Sequence, residues 1–105
     1  MFARVVTATL DPSKASEFRS AITGQVESAL KSQPGFLELL SLTSETDPNK
    51  VIAVSVWRSK QDIDNYASTA GQRVIAMVKP YIRDFKVETY SVDTGTGKRL
   101  SASAA

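Results

Sequence analysis

The fold is decided by the stretch VIAVSVWRSKQDIDNY, residues 51–66. Its first seven residues form an apolar run rich in β-branched side chains, which predicts a buried strand ending at Trp57. Ser59 then precedes Asp62 by three positions, the spacing of a capping box that starts a helix. Ile63 and Tyr66 open an apolar face at helical spacing. The stretch therefore predicts a buried strand that leads directly into a helix packed against the sheet.

The segments on either side complete a βαββαβ order. Strand patterns are found in three further segments, residues 2–10, 36–43 and 81–92. A first helix is predicted over residues 12–32, and a second helical region ends at Lys79-Pro80 after an expected break at residues 68–71. Short connections and right-handed crossovers then favour an α+β, ferredoxin-like unit, in which a four-stranded antiparallel sheet carries both helices on one face.

The chain is 105 residues long, which predicts one domain. We assign this domain to residues 1–92. Residues 93–105 are rich in Gly, Ser and Ala, and this composition predicts a flexible C-terminal tail.

The composition excludes several classes of site. The chain has neither Cys nor His, so disulfides, thiol nucleophiles, imidazole bases and His-ligated zinc or haem iron are excluded, and we expect no cofactor. The net charge of +2 comes from Lys98 and Arg99 near the C-terminus, so the folded part is about neutral and we expect no nucleic-acid partner. No apolar run approaches a membrane span and no signal peptide is evident, so we expect a cytoplasmic protein without a membrane partner.

The sheet face turned away from the helices is expected to be apolar. Its predicted residues are Ala3, Val5, Leu37, Leu39 and Val87. Burial stabilises by about 25 cal/mol per Å² of apolar surface, so covering several hundred Å² of this face would contribute many kcal/mol before association costs. We therefore predict a homodimer through the sheet faces.

Three groups of residues together resemble the antibiotic biosynthesis monooxygenase family, whose members are dimeric α+β barrel proteins. They are the PGF motif at residues 34–36, the VWRSKQ corner at residues 56–61, and Tyr66 on the helix that follows. The resemblance covers about residues 2–92. It implies a barrel dimer with a cavity between each sheet and its helices. It also implies activities that include oxygenation of phenolic or quinol substrates without metal or flavin, haem breakdown and small-signal metabolism.

Only part of the family's functional set has a counterpart here. The related oxygenases carry an Asn four positions before the corner Trp and a Tyr six positions after it, where this chain has Ala53 and Ile63. The haem-degrading members carry an iron-ligating His near Ala76, and this chain has no His. Trp57 and Tyr66 are the residues to which the resemblance extends.

Tyr66 is the candidate catalytic residue, because its hydroxyl is able to orient a phenol or quinone oxygen; the alternative is a helix Tyr with its tip in water. Trp57 either lines a substrate cavity or anchors the core. Three further candidates for substrate binding would line the same cavity or act as plain core, namely Phe18, Val74 and Met77. Arg4 interrupts the apolar face of the first strand, where it either meets an anionic ligand group or pairs with Glu38, Glu88 or a terminus.

These observations favour a cofactor-independent monooxygenase-like homodimer that acts on a small aromatic compound of phenol or quinol type. The alternative is a non-catalytic dimeric module of the same fold that binds a small apolar or aromatic ligand. A polar, solvent-connected cavity beneath Trp57 and Tyr66 would favour a functional site, whereas a filled core would favour the module without chemistry.

Overall fold

A computed structural model describes residues 1–95 of the chain. Its strands are β1 (Phe2–Leu10), β2 (Phe36–Thr43), β3 (Lys50–Trp57) and β4 (Ile82–Ser91). Its α-helices are α1 (Ala15–Ala21), α2 (Glu27–Lys31), α3 (Lys60–Ser68) and α4 (Ala70–Val78). The strands form one antiparallel sheet in the order β2-β3-β1-β4, so the predicted ferredoxin-like α+β fold is confirmed. Most of the tail predicted at residues 93–105 lies outside the described residues.

The first helical region runs without interruption from Pro12 to Lys31, but its hydrogen-bonding pattern changes along the way. A 3₁₀ turn (Pro12–Lys14) precedes α1, and a π-helical turn (Ile22–Val26) separates α1 from α2. The Asp11 carboxylate caps the start by accepting a hydrogen bond of 3.0 Å from the backbone N–H of Ser13. Turns of this π type are rare in proteins overall, and those that occur are often found at functional sites. Ile22 and Val26 from this turn are both buried on the side that faces the sheet.

The corner between β3 and α3 is held by side-chain caps. The Ser59 hydroxyl accepts a hydrogen bond of 3.1 Å from the backbone N–H of Asp62 and lies 2.9 Å from the Asp62 carboxylate, to which it donates. The carbonyl of Gly35 accepts a hydrogen bond of 2.9 Å from the backbone N–H of Arg58. Gly35 adopts a left-handed φ of 79°, and a Cβ at this position would overlap the Asp62 carboxylate. The predicted helix start at Ser59 is therefore confirmed, and Gly35 is the residue that permits the tight corner.

The second helical region breaks at Thr69, within the predicted segment. Thr69 leaves helical geometry with φ −124° and ψ −102°, and its hydroxyl donates a hydrogen bond of 2.6 Å to the carbonyl of Asn65. Gly71, two residues after Thr69, packs closely against α3. A Cβ on Gly71 would lie 2.8 Å from the backbone oxygen of Tyr66 and 3.0 Å from its ring carbon Cε2. The break and the glycine together bring α4 directly against Tyr66.

A β-bulge in β2 changes which side chains face the helices. Phe36 pairs with Trp57, whereas Glu38 pairs with Val56, so Leu37 is an extra residue in the ladder. Beyond the bulge Leu39 faces the helices, and the prediction that it lies on the open face is wrong. An inserted residue reverses the alternation of everything that follows it.

The register of β4 requires a second correction. Val87 pairs with Val6, which lies on the helix side of the sheet, so the predicted place of Val87 on the open face is also wrong. The apolar residues of the open face in the described sheet are Ala3, Val5, Leu40, Leu42, Ile52, Val54, Val56 and Tyr90.

The core lies between the helices and the sheet. Trp57 and Leu10 are fully buried in it. The Trp57 ring meets Phe36 edge-on, with centroids 5.5 Å apart, and lies 4.9 Å from the Tyr66 ring. Among residues 1–95, no helix is long and apolar enough to cross a membrane.

Candidate functional site

A cavity of about 80 Å³ lies between the helices and the sheet. Its wall is aliphatic apart from Phe18 and four polar residues, which are Arg4, Ser41, Ser55 and Tyr66. A single buried water needs roughly 10–15 Å³, whereas pockets for drug-sized ligands have roughly 300–1,000 Å³. We therefore expect the cavity to hold a compact ligand, on the scale of one aromatic ring.

Tyr66 is brought to the cavity by α3. Its side chain is 3% exposed, and burial raises the pKa of its hydroxyl above the ordinary value of 10.0, an effect that the nearby Arg4 charge partly opposes. Within residues 1–95 the hydroxyl makes no hydrogen bond to another side chain or to the backbone. At neutral pH the group is therefore a protonated donor, and a ligand in the cavity is the partner it lacks.

Arg4 enters the same cavity from β1. It is 8% exposed, and its guanidinium carbon lies 5.5 Å from the centroid of the Tyr66 ring, in the range of a cation–π contact. Burial lowers the pKa of Arg4 from its usual value.

The carboxylates considered as partners for Arg4 lie elsewhere. Glu88 pairs with Val5 and Glu38 pairs with Val56, which places both on the open face of the sheet. Arg4 pairs with Ser55 on the opposite face. The expected ion pair between Arg4 and either glutamate is therefore wrong, because a strand sends successive side chains to opposite faces.

Trp57 lies behind the cavity rather than in its wall. It is fully buried, and its indole N–H donates a hydrogen bond of 2.9 Å to the Ser55 hydroxyl. The Ser55 hydroxyl in turn donates one of 3.4 Å to the backbone carbonyl of Arg4. The Trp57 ring lies 4.9 Å from the Tyr66 ring, so this tryptophan packs against the tyrosine without lining the cavity.

Of the other residues predicted to line the cavity, two do and one does not. Phe18 and Val74 line the cavity, whereas Met77 is half-buried and is not among the lining residues. The adjacent positions of α4 that do line it are Ile75 and Val78. The break at Thr69 sets the rotation of α4, and periodicity alone did not resolve which neighbours point inward.

Two polar wall residues were not candidates from the sequence. Ser41 and Ser55 each interrupt an apolar strand, and the signal that identifies them is a lone hydroxyl on the sheet face that packs against the helices. Ala53 also lines the cavity, and its methyl group provides neither a donor nor an acceptor.

The cavity is suited to binding, orientation and electrostatic stabilisation. Its lining contains one formal charge, that of Arg4, and no carboxylate or lysine. In residues 1–95 no group of three or more acidic side chains is placed to hold a metal ion. Such a wall desolvates a ligand and stabilises negative charge on it, but offers no side-chain base.

Several solved structures share this fold. A protein from Nitrosomonas europaea, assigned as an antibiotic biosynthesis monooxygenase, is 20% identical over 90% of this chain and 100% of its own, with a TM-score of 0.75. A similarly assigned protein from Deinococcus radiodurans is 16% identical over 93% and 98%, with a TM-score of 0.79. An asparagine-to-alanine variant of SnoaB, a cofactor-independent oxygenase from Streptomyces nogalater, is 15% identical over 92% and 97%, with a TM-score of 0.79.

No curated protein matches the sequence significantly. The solved structures are too distant in sequence to show more than the fold. The family model for antibiotic biosynthesis monooxygenases, in contrast, matches residues 1–78, which is most of the chain. The chain therefore belongs to the antibiotic biosynthesis monooxygenase family.

Proposed function

We propose that the protein is a cofactor-independent monooxygenase that acts on a small aromatic compound of phenol or quinol type. The observation that carries this proposal is the Tyr66 hydroxyl, a protonated donor without a hydrogen-bond partner in the described residues, in the wall of an otherwise apolar cavity. The family assignment and the fold shared with a cofactor-independent oxygenase support it.

The chemistry resides in the substrate. A one-ring phenol reacts through its dienone tautomer, a ring ketone with a methylene group, which loses a proton to give a delocalised carbanion that reduces O₂ directly. One oxygen atom becomes the new carbonyl and the other leaves as water with the two methylene hydrogens, so the four electrons that O₂ accepts come from the substrate carbon. The protein contributes orientation and removal of water.

We assign the roles as follows. Tyr66 donates a hydrogen bond to the phenolic or quinone oxygen and fixes the orientation of the ring. Phe18 and Val74 contact the ligand from the helix side. Trp57 acts through Tyr66 as a positioning residue, and Met77, which is not among the lining residues, is assigned no contact with the ligand.

Oxygen uptake with a one-ring phenol such as resorcinol, in buffer containing a metal chelator, tests this proposal. We expect uptake that is proportional to enzyme and label from ¹⁸O₂ in the product carbonyl. Tyr66→Phe should lower kcat by about tenfold to a hundredfold, since the donor to the developing charge is lost. Tyr81→Phe is the matched control, because Tyr81 lies outside the cavity wall. Turnover that Tyr66→Phe leaves unchanged contradicts the assignment.

A second candidate is a non-catalytic small-molecule-binding module of the same fold, and Ala53 is the observation that favours it. This methyl group lines the cavity where the related oxygenases carry an amide, and the wall has no side-chain base. Saturable binding of aromatic ligands without any protein-dependent oxygen uptake would support this reading over the first.

We also propose that the functional unit is a homodimer formed through the open faces of the sheets. Leu40, Leu42 and Tyr90 are 40%, 46% and 48% exposed on this face of the chain. A partner sheet would cover them while leaving the helix-side cavity of each subunit intact. Residues 1–92 would form the folded unit, since the backbone N–H of Val92 still bonds the carbonyl of Met1 at 3.0 Å.

A further inference from the structure

We propose that the cavity selects anionic ligands and that Arg4 is the residue that recognises their charge. This inference rests on the proposed function in one respect only, namely that the cavity is the ligand site. It adds the chemical class of the ligand: a compact aromatic body that carries one carboxylate, phenolate or enolate oxygen.

The first step is that Arg4 is a buried cation with no counter-ion among residues 1–95. Its side chain is more than nine-tenths buried, and within residues 1–95 it makes no ion pair and no side-chain hydrogen bond. Among the described residues, every fully buried side-chain nitrogen has a hydrogen-bond partner, so a nitrogen without a partner is not fully buried. The guanidinium nitrogens are therefore accessible, and the space they reach is the cavity that Arg4 lines.

The second step concerns the rest of the wall. Arg4 is the one charged residue among the lining side chains, and its guanidinium carbon lies 5.5 Å from the centroid of the Tyr66 ring. A cation–π contact alone offsets only part of the desolvation of a guanidinium. A small anion in the cavity would supply the missing charge and accept from the planar fork of N–H donors.

The third step links this charge to the chemistry. A guanidinium in an apolar cavity stabilises the deprotonated form of a bound phenol or enol, so it lowers the pKa of that ligand. The proton passes to solvent, which removes the need for a side-chain base that the wall does not contain. The O–H bond of the ligand breaks, its electron pair stays on the oxygen, and no oxidant takes part in this step.

Isothermal titration with benzoate and benzyl alcohol at pH 7 tests the charge preference directly. The two probes have similar size and differ in charge, so the wild-type protein should bind benzoate at least tenfold more tightly. Arg4→Met should lower benzoate affinity by about tenfold to a hundredfold and leave benzyl alcohol unchanged. Arg4→Lys should retain part of the preference, and Arg19→Met, which removes an exposed charge from α1, should retain all of it.

A second measurement uses 4-nitrophenol, whose phenolate is visible by its absorbance. Binding to wild-type protein should shift the titration of the probe to lower pH, and Arg4→Met should abolish that shift. This readout needs no turnover, so it separates the two proposals. A protein that binds anions but consumes no oxygen contradicts the monooxygenase function alone.

Three results would overturn the inference. They are equal or tighter binding of benzyl alcohol by the wild-type protein, no detectable binding of benzoate at millimolar concentration, and a benzoate preference that Arg4→Met leaves intact. If Arg4→Met does not fold, the wild-type comparison and the titration of 4-nitrophenol remain decisive, since both are made on the native chain.

Discussion

The indole nitrogen of Trp57 donates a hydrogen bond of 2.9 Å to the hydroxyl of Ser55, two residues earlier on the same strand. Side chains two apart on a strand share a face, so the bond runs along β3 beneath the helices. The same hydroxyl donates to the backbone carbonyl of Arg4 on the neighbouring strand. The tryptophan that supports Tyr66 is thereby tied to the strand that carries Arg4.

Ser55→Ala removes the acceptor of the buried indole N–H. We expect a loss of about 1–3 kcal/mol in the free energy of unfolding, because the donor remains buried without a partner. Urea denaturation followed by far-UV circular dichroism measures the change. In the double variant with Trp57→Phe, the loss should be smaller than the sum of the single variants, since both partners are then absent. Additive losses would mean that the bond contributes nothing.

Gly71→Ala should move Tyr66. A Cβ at this position would lie 2.8 Å from the Tyr66 backbone oxygen and 3.0 Å from its ring, so either α4 or the ring must shift. We expect destabilisation of about 1–3 kcal/mol and altered near-UV circular dichroism from the Trp57–Tyr66 contact. Gly24→Ala is the matched control. Gly24 has no atom within 4 Å of an added Cβ, so there the helix propensity of Ala should stabilise by up to about 1 kcal/mol.

Arg4→Met should make the ligand-free protein more stable. The substitution keeps an extended apolar side chain and removes a buried charge that the described residues do not neutralise. We expect a gain of roughly 1–2 kcal/mol after the loss of the contact with Tyr66, measured by urea denaturation without ligand. A residue that a protein retains at the expense of its stability is characteristic of functional sites. Destabilisation by Arg4→Met would instead identify a structural role.

Stability should fall at alkaline pH in a manner that depends on Tyr66. Burial raises the pKa of this tyrosine in the folded state above its unfolded value of 10.0, so the unfolded chain releases the proton first. Its contribution is complete below about pH 10 and is lost as the pH rises through the folded pKa. In the Tyr66→Phe variant, the denaturation midpoint should therefore fall less between neutral and alkaline pH than it does in the wild type. If the denaturation midpoint of Tyr66→Phe falls with pH as steeply as that of Tyr81→Phe, the prediction is wrong.

Leu42→Lys should disrupt the homodimer. Leu42 is 46% exposed on the open face of the sheet, and a charge there would be buried against the partner. Sedimentation equilibrium at micromolar concentration should give a dimer for wild type and a monomer for the variant. Gln25→Lys, on the solvated side of the first helical region, should remain dimeric. A monomeric wild-type protein would refute the sheet-face dimer.

Much of the fold was predictable because its signals are local. The Ser59–Asp62 cap, the break at Thr69 and the bounds of β1 and β2 each depend on residues within one or two turns of each other. The element order then leaves few topologies open, and the ferredoxin-like sheet follows.

The site was less predictable because its geometry depends on residues far apart in the chain. The resemblance identified Tyr66, and helical spacing predicted Phe18, Val74 and Met77. Of these four residues, Met77 alone is not among those that line the cavity. The bulge at Leu37, which reverses the facing of Leu39, leaves no mark in the composition of β2.

By itself the sequence determined the elements of this protein, their order and the corner at residues 51–66, because hydrogen bonding and helical or strand periodicity act over a few residues. Only the tertiary structure decided that Arg4 lies against the Tyr66 ring in the wall of an apolar cavity while both glutamates lie on the other face of the sheet. The physical reason is register. Pairing between strands distant in sequence sets which face each side chain occupies, and that choice separates a surface ion pair from a buried charge that a ligand can neutralise.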